Sequence, residues 1–404
     1  MHILLVTDAY PPEIRSASHL MLELAEGLRD RGYKITVVTS YPKYNLTDEL
    51  KDKIYGELTI EEGINVIRIK TLPHHKVNFI VRGISQILMP YLFLSKIKKR
   101  LKSRIDVVVV YSPPLPLAKV GEAIKRKYGA KFILNVQDIF PQNAIDLEVL
   151  NNTVLIKFFK VLEKRAYKAA DRIVVHSEGN ADFICKKNGA IIGKVSVLHN
   201  WIDSREYGGI ARTNNFRQKY GLENKFVVLF AGVIGPSQGL NLIVKAAKQL
   251  EALHDICFLI VGDGLEKENL QRMVDELCLN NIIFKPFVSK REYPLLVKDA
   301  DVGLVCLSDK NKTPVVPGKM LGYMAASIPV VAFLNKESDG HKIIKEARCG
   351  YSEISGNIEK AGETIMRIYN ERDRLKEYGE NGFKFVKSNF EKEICLNGLE
   401  EFFN

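Results

Sequence analysis

Residues 313–333 read TPVVPGKMLGYMAASIPVVAF. A proline and a glycine stand directly before one lysine, Lys319, and a helical pattern then runs into a β-branched stretch. Loop, helix and apolar strand in that order form the repeating unit of a parallel sheet covered by helices. The same order places Lys319 at a helix opening, where the first backbone N–H groups have no intrahelical acceptor.

Outward from this stretch the unit recurs along the chain. HILLVTD, YKITVVTS, INVIRIK, DVVVVYS, KFILNVQ, DRIVVHS and KVSVLHN alternate with helical segments in the first half. After a polar stretch at 204–223 the pattern restarts as FVVLFAGV, ICFLIVGDG, NIIFKPFV, ADVGLVCL and IPVVAFL. Residues 20–31, 154–170, 241–253 and 267–277 carry apolar side chains three and four apart with charge opposite, the spacing of covering helices. The alternation predicts an α/β protein of two doubly wound domains, 1–205 and 206–384. An amphipathic helix in the tail, 385–404, is expected to pack back on the first domain.

With 404 residues, 46% of them apolar, the chain exceeds one ordinary core. Its formal excess of +11 lies wholly in residues 1–200, which hold 31 Lys and Arg against 20 Asp and Glu, whereas 201–404 hold 28 of each. A basic domain beside a neutral one points to an anionic surface met by the first domain: phospholipid, nucleic acid or a phosphorylated substrate. The six cysteines form no CxxC pair and several lie in apolar runs, which fits reduced, buried thiols. MHILLVTDAY has no secretory n-region or cleavage site. The most apolar longer segment, 79–97, is interrupted by Arg82, Ser85, Gln86, Pro90 and Ser95, short of the ~20 clean residues of a spanning helix. A cytoplasmic protein without membrane spans is expected.

In such sheets ligands bind beyond the carboxyl ends of the strands. The loops there in the second half are GVIGPSQGL (232–240), GDG (Gly262, Asp263, Gly264), PFVSKREY (286–293, with Phe287 and Val288) and the Pro317-Gly318-Lys319 opening. Gly235 and Gly239 permit close backbone approach, while Gly318 exposes amides to which Lys319 adds a full charge, an arrangement suited to a diphosphate. GDG taken alone is equally a plain turn, and Lys319 alone equally a solvated side chain. TDAYPPEIRSASHL after the first strand lacks GxGxxG, and the chain has no GxxxxGK[ST], HExxH or close Cys/His cluster. Dehydrogenase, P-loop and metal chemistry are therefore not expected.

As an ordered set, TDAYPPEI, ELAEGLRDRGYKITVVTS, NVQDIFP, ADRIVVHSEGNADFI, KVSVLHNWID, FAGVIGPSQGL, LIVGDG, PFVSKREYPLLVKDADVGLV and GKMLGYMAASIPVV resemble glycosyltransferase family 4 over nearly the whole chain. PPEI, VQDIFP, the IG and QG pairs of the glycine loop and the run from Pro317 to Ala325 are similar to the WbuB-like branch, which builds bacterial polysaccharide and O-antigen with amino-sugar donors. The resemblance implies the GT-B fold, two Rossmann-like domains facing across a cleft. It also implies transfer, with retention of configuration, of a sugar from a nucleoside diphosphate, UDP above all, to a lipid-linked saccharide, with no metal or other cofactor.

The chain departs from the family pattern at several places. Two glutamates that the family pattern has eight positions apart are replaced by Pro314 and Gly322; an arginine and a lysine of the glycine loop by Val233 and Gln238; a histidine beside Asp138 by Gln137; and a glycine pair after PPEI by Arg15 and Ser16. Lys319 is then the principal cation for the diphosphate, with Arg15 a second. Asp138 is read as an acid facing the sugar or the acceptor hydroxyl, or as the cap of the turn into Phe140-Pro141. Glu13 is the other acid for the acceptor, or a solvated turn residue.

The segments FIVRGISQILMPYLFLSKIKKRLKSR and IKFFKVLEKRAYKAADR couple aromatic and aliphatic residues to lysines and arginines, the composition of helices lying on an anionic membrane or, equally, of ordinary packed helices. Peripheral association with the inner face of the cell membrane follows from the first reading. No motif for reading nucleic acid accompanies the charge. Two other functions compete with glycosyl transfer: a sugar-nucleotide epimerase of similar fold, and a nucleotide-binding scaffold that has lost its catalytic groups.

Overall fold

A computed structural model describes residues 1–46, 50, 52–74 and 77–403 of the chain. It divides into two compact units, 1–200 with 393–404 and 201–392.

In the first unit, β1 (His2–Val6), β2 (Lys34–Ser40), β3 (Leu58–Glu61), β4 (Ile64–Ile69), β5 (Val107–Ser112), β6 (Lys131–Val136), β7 (Arg172–Val175) and β8 (Val195–Val197) form a sheet in the order β3-β4-β2-β1-β5-β6-β7-β8. All pairings are parallel except that of β3 with β4. Every residue of β1 and β5 is buried, because helices cover both faces and the apolar run need not alternate. β3 escapes a sequence reading for the opposite reason: it is an edge strand with Leu58 and Ile60 exposed, and its chain turns into β4 through Glu62 and Gly63, both at positive φ.

The second unit holds β9 (Phe226–Ala231), β10 (Ile256–Val261), β11 (Ile282–Lys285), β12 (Val302–Cys306), β13 (Val330–Leu334) and β14 (Gly350–Ile354), all parallel, in the order β11-β10-β9-β12-β13-β14. β14 is a part-exposed edge strand without an apolar run, which hid it from pattern reading. In each sheet the strand order reverses once, between β1 and β5 and between β9 and β12. The loops leaving those strands splay apart there and open a crevice at the carboxyl edge, where ligands bind.

The tail differs from expectation. It forms two helices, Leu375–Asn389 and Lys392–Glu400, broken at Phe390. The first belongs to the second unit: Val386 and Phe390 join its core, and a Cβ at Gly379 would lie 2.0 Å from the Ser327 carbonyl oxygen. Only the second lies on the first unit, where Arg31 pairs with Glu393 (2.7 Å) and Glu400, and Tyr33 meets Phe403 edge-on. Ile202 donates its amide to Phe390 O (2.9 Å) and accepts from Lys392 N (3.1 Å). These bonds hold 201–205 in the second unit, so the boundaries fall at 200/201 and 392/393 rather than at 205/206 and 384/385. Cys278 is exposed, unlike the buried Cys257, Cys306, Cys349 and Cys395.

Candidate functional site

The helix Gly318–Ala325 follows the loop after β12 and is held by its own apolar face. Met320, Leu321, Tyr323, Met324 and Ala325 are buried. Tyr323 fixes the register: its ring lies over Gly303 of β12, where an added Cβ would sit 2.3 Å from Cγ, and its hydroxyl accepts from Ala231 N at the end of β9 (3.0 Å). The helix N-terminus is thereby brought to the β9–β12 reversal. The preceding extended stretch is pinned by Asn335 Nδ2 donating to Thr313 O (3.2 Å) and by the Ser338 hydroxyl donating to Val315 O.

Lys319 reaches across this opening. Its Nζ donates to Gln238 Oε1 (2.6 Å) and lies 4.9 Å from the centre of the Phe230 ring, and its Cε would be 3.2 Å from a Cβ on Gly232. The side chain keeps some exposure, yet its ammonium is enclosed enough that desolvation lowers its pKa to about 8, opposed by the Cys306 thiol. Among the described residues no carboxylate lies in salt-bridge range of it. A cation that has lost water without gaining a counter-ion, beside the first amides of a helix, can accept an anion at lower cost than a paired lysine could. Gln238, which replaces a family lysine, aims the remaining ammonium rather than adding a charge.

The glycine loop divides into glycines the protein itself requires and one it does not. Gly239 (φ 59°) packs 3.0 Å, by its absent Cβ, from Ser308 Cα, and Ser308 N donates to Ser237 O (2.8 Å). Gly262 and Gly264 abut the Gly232 and Ile234 carbonyl oxygens at 1.9 and 2.2 Å in the same sense, while Ile234 N donates to Asp263 O (2.9 Å). GDG is therefore a packing device that zips the loops after β9 and β10 together, with the Asp263 side chain turned outward near Lys267 (3.9 Å). At Gly235 an added Cβ meets nothing nearer than Val233 Cγ1 at 3.9 Å, and at Gly318 nothing at all. Phe287 and Val288 are half-buried, Val288 against the core, ahead of a turn in which the Ser289 hydroxyl donates to Glu292 Oε2 (2.7 Å). Pro317 is buried and closes the helix start.

Two tyrosines went unnoticed in the sequence. A Cβ at Gly322 would lie 3.2 Å from the Tyr207 hydroxyl and 3.4 Å from that of Tyr293. Lys319 and Gly322 are three residues apart and share a helix face. The side where the family pattern carries a glutamate is thus lined here by phenols, with the Tyr293 phenol held neutral by burial. The missing carboxylate at 322 was the only available signal.

In the first unit, the loop after β1 folds around a charge cluster. Arg15 donates to Asp8 Oδ2 (3.3 and 3.4 Å) and Glu13 Oε2 (3.4 Å). Burial opposes its charge, but Asp8 and Glu13 outweigh it and raise its pKa. Glu13 is 4% exposed, and its Oε1 accepts from Lys43 N (2.9 Å) and Tyr44 N (3.1 Å). Burial raises its pKa against those donors and Arg15. Glu13 is consequently neither a solvated turn residue nor presented outward: it ties two loops together. Arg15 is likewise spent on carboxylates, and Ser16 opens the helix Ser16–Asp30 with an exposed side chain. Asp8, at the end of β1, was overlooked although TDAY marked the loop. Asp138 follows β6 with an exposed side chain; desolvation by surrounding protein nevertheless raises its pKa, with Arg82 opposing. The buried phenol of Tyr111, on β5, is raised first by desolvation and then by the Asp138 charge, with Arg15 and Asp8 also in range. Asp8, Arg15 and Asp138 thus gather about Tyr111 at the β1–β5 reversal.

Comparison with known proteins agrees with this geometry. Residues 17–206 match the profile described as Glycosyltransferase Family 4, and residues 212–385 match that of Glycosyl transferases group 1. The chain is 26% identical over 282 residues (69% of each chain) to the probable glycosyltransferase WbjE of Pseudomonas aeruginosa. It is 24% identical over 341 residues (80% of this chain, 81% of the relative) to the putative colanic acid biosynthesis glycosyl transferase WcaI of Escherichia coli K12. The Anabaena protein Alr3699/HepE, solved in complex with UDP, superposes with a TM-score of 0.73 at 17% identity, covering 99% of both chains. Two doubly wound sheets, each with its ligand edge at a strand-order reversal, and two consecutive profile matches place this chain in the family-4 glycosyltransferases of GT-B fold.

Proposed function

We propose that this glycosyltransferase takes its sugar from a UDP-linked donor, with the diphosphate on Lys319 and the amides at Gly318 and Lys319, and passes it with retention of configuration to a lipid-linked saccharide. The observation that carries the donor site is the desolvated Lys319 ammonium without a carboxylate partner, aimed by Gln238 across a helix opening. The likeness to a protein solved with UDP supports the nucleotide, and the colanic acid relative supports a polysaccharide product. An N-acetylated amino sugar and an O-antigen type product are the finer form of the proposal, based on the WbuB-like motifs. The neutral phenols at Gly322 take the place of a family carboxylate toward the donor, and Asp138, with its raised pKa and open side chain, faces the acceptor hydroxyl. The reaction is metal-independent, and the basic first unit works at the cytoplasmic face of an anionic membrane. The site would otherwise suit an epimerase or a non-catalytic nucleotide binder.

The test is a thermal-shift panel of UDP, GDP, UDP-glucose and UDP-N-acetylglucosamine, followed by product analysis with and without a lipid-linked saccharide. The proposal expects stabilisation by the uridine ligands and a glycosylated lipid. Stabilisation by GDP alone, an epimerised nucleotide sugar made without acceptor, or binding with no transfer to any lipid-linked saccharide tried would each overturn it.

A further inference from the structure

Burial lowers the pKa of Lys187, Lys298 and Lys319, in the last case to about 8. Two of these lysines close a helix: Lys187 is the final residue of Glu178–Lys187 and Lys298 the final residue of Tyr293–Lys298. Lys319 is instead the second residue of Gly318–Ala325. A helix end presents carbonyl oxygens and partial negative charge, whereas a helix start presents N–H groups and partial positive charge. The three amines therefore admit different reagents. An uncharged one can reach all of them, but one that carries a phosphate is repelled at two and drawn to Lys319.

The surroundings of Lys319 suit such a reagent. Met320 N donates to Pro317 O (3.0 Å), and the amides of Gly318 and Lys319 have no acceptor among the described residues. Gly318 is exposed, and a Cβ there would meet nothing within 4 Å. Lys319 Nζ donates to Gln238 Oε1 (2.6 Å), a neutral oxygen that keeps this bond whether the amine is charged or not. A carboxylate in that place would hold the extra proton on. At pH 7 an ordinary lysine near 10.5 is neutral about one time in 3,000 and one near 8 about one time in ten, so Lys319 offers its lone pair about 300 times as often. A less basic amine is also a weaker nucleophile, which on the slope known for thiols takes back about tenfold.

We propose that Lys319 is a modification site for small acyl phosphates: the phosphate seats on the Gly318 and Lys319 amides and the acyl group passes to Lys319 Nζ, which switches the donor site off. The inference rests on the donor site proposed above and adds its regulation. The neutral amine attacks the acyl carbonyl carbon. The N–C bond forms, the C–O bond to phosphate breaks, inorganic phosphate leaves with the electron pair, and the proton released from nitrogen passes to water. The product amide carries no charge, so the diphosphate loses its cation. A bound nucleotide donor covers the same amides and shields the amine, which confines modification to enzyme short of donor.

The test treats the full chain with acetyl phosphate, or with the uncharged ester N-hydroxysuccinimidyl acetate, each with and without UDP. Peptide mass spectrometry reads acetylation at each lysine, and thermal shift reads UDP binding. With acetyl phosphate, Lys319 is expected to react about tenfold or more faster than Lys187 or Lys298, and UDP should suppress its reaction and not theirs. The uncharged ester should erase that preference. The rate at Lys319 should rise with pH and level off near 8, and the acetylated protein should no longer be stabilised by UDP. Equal rates at the three lysines with acetyl phosphate, or an unchanged preference with the uncharged ester, would overturn the proposal. If UDP stabilises the untreated protein and Lys319 stays unmodified, the switch fails and the donor site stands. If Lys319 is acetylated yet UDP neither slows the reaction nor loses its stabilising effect, the donor site is not at Lys319 and the switch falls with it. Lys319→Arg carries a guanidinium that acetyl phosphate does not acylate, so treatment should leave its response to UDP unchanged. A loss of that response would place the inactivation at another lysine and refute the assignment.

Discussion

Lys319 makes the sharpest prediction because the cost of its burial and its gain with an anion have opposite signs. Lowering its pKa from the ordinary 10.5 to about 8 means that desolvation penalises the ammonium by about 3 kcal/mol, at ~1.36 kcal/mol per pH unit. A diphosphate oxygen about 4 Å from Nζ returns about 4 kcal/mol at an effective dielectric near 20, so ligand binding cancels the penalty. Two consequences can be measured. In isothermal titration the wild-type Kd for UDP should stay level up to about pH 7 and then weaken toward tenfold per pH unit above about 8, as the free enzyme loses the proton. Lys319→Ala should bind 100-fold or more weakly, without that bend, and lose a comparable factor in kcat through lost stabilisation of the leaving diphosphate. Stability should move the other way. The unfolded chain binds more protons at this site between pH 8 and 10.5, so the unfolding free energy of wild type should rise with pH in that window relative to Lys319→Met, which carries no such penalty. A wild-type Kd that is flat to pH 10, or a Lys319→Ala variant within threefold of wild type, would refute the role assigned to this ammonium.

Other outcomes follow from the packing beneath and beside the site. Gly303→Ala forces a Cβ into the Tyr323 ring and should cost about 1 to 3 kcal/mol of stability by chemical denaturation, weakening UDP binding as the 318 helix shifts. Tyr323→Phe leaves the Ala231 N–H without its acceptor and should cost about 1 to 3 kcal/mol in the same assay. Glu13→Gln should lower the melting temperature by weakening its ties to Arg15 and Lys43 while leaving the pH profile of kcat/KM unchanged, whereas Asp138→Asn should remove the acidic limb of that profile. Turnover should be unaffected by EDTA, and a metal requirement restored by magnesium would contradict the metal-independent reaction proposed.

What the amino-acid order determined is the part of the structure whose causes are local. Runs such as VVVVYS and FVVLFA are apolar over their whole length because both faces of a parallel strand are covered, and helical spacing between them identifies the layers. The edge strands β3 and β14 lay beyond that signal because half of each faces water and the apolar run disappears. Glycine positions could be located by pattern, but their purpose could not: Gly262 and Gly264 serve the approach of two loops joined by tertiary packing, and Gly303 makes room for a tyrosine twenty residues on. The site itself depends on distance in space. Lys319 and Gln238 are 81 residues apart, Tyr323 and Ala231 92, and Glu13 meets amides 30 and 31 residues away. Residue type alone left Glu13, Arg15 and Lys319 all candidates, with Lys319 ahead of Arg15 as the cation for a diphosphate. Folding separated them, because two of these charges found charged partners within the loop that carries them while the third was stripped of water with no carboxylate in range.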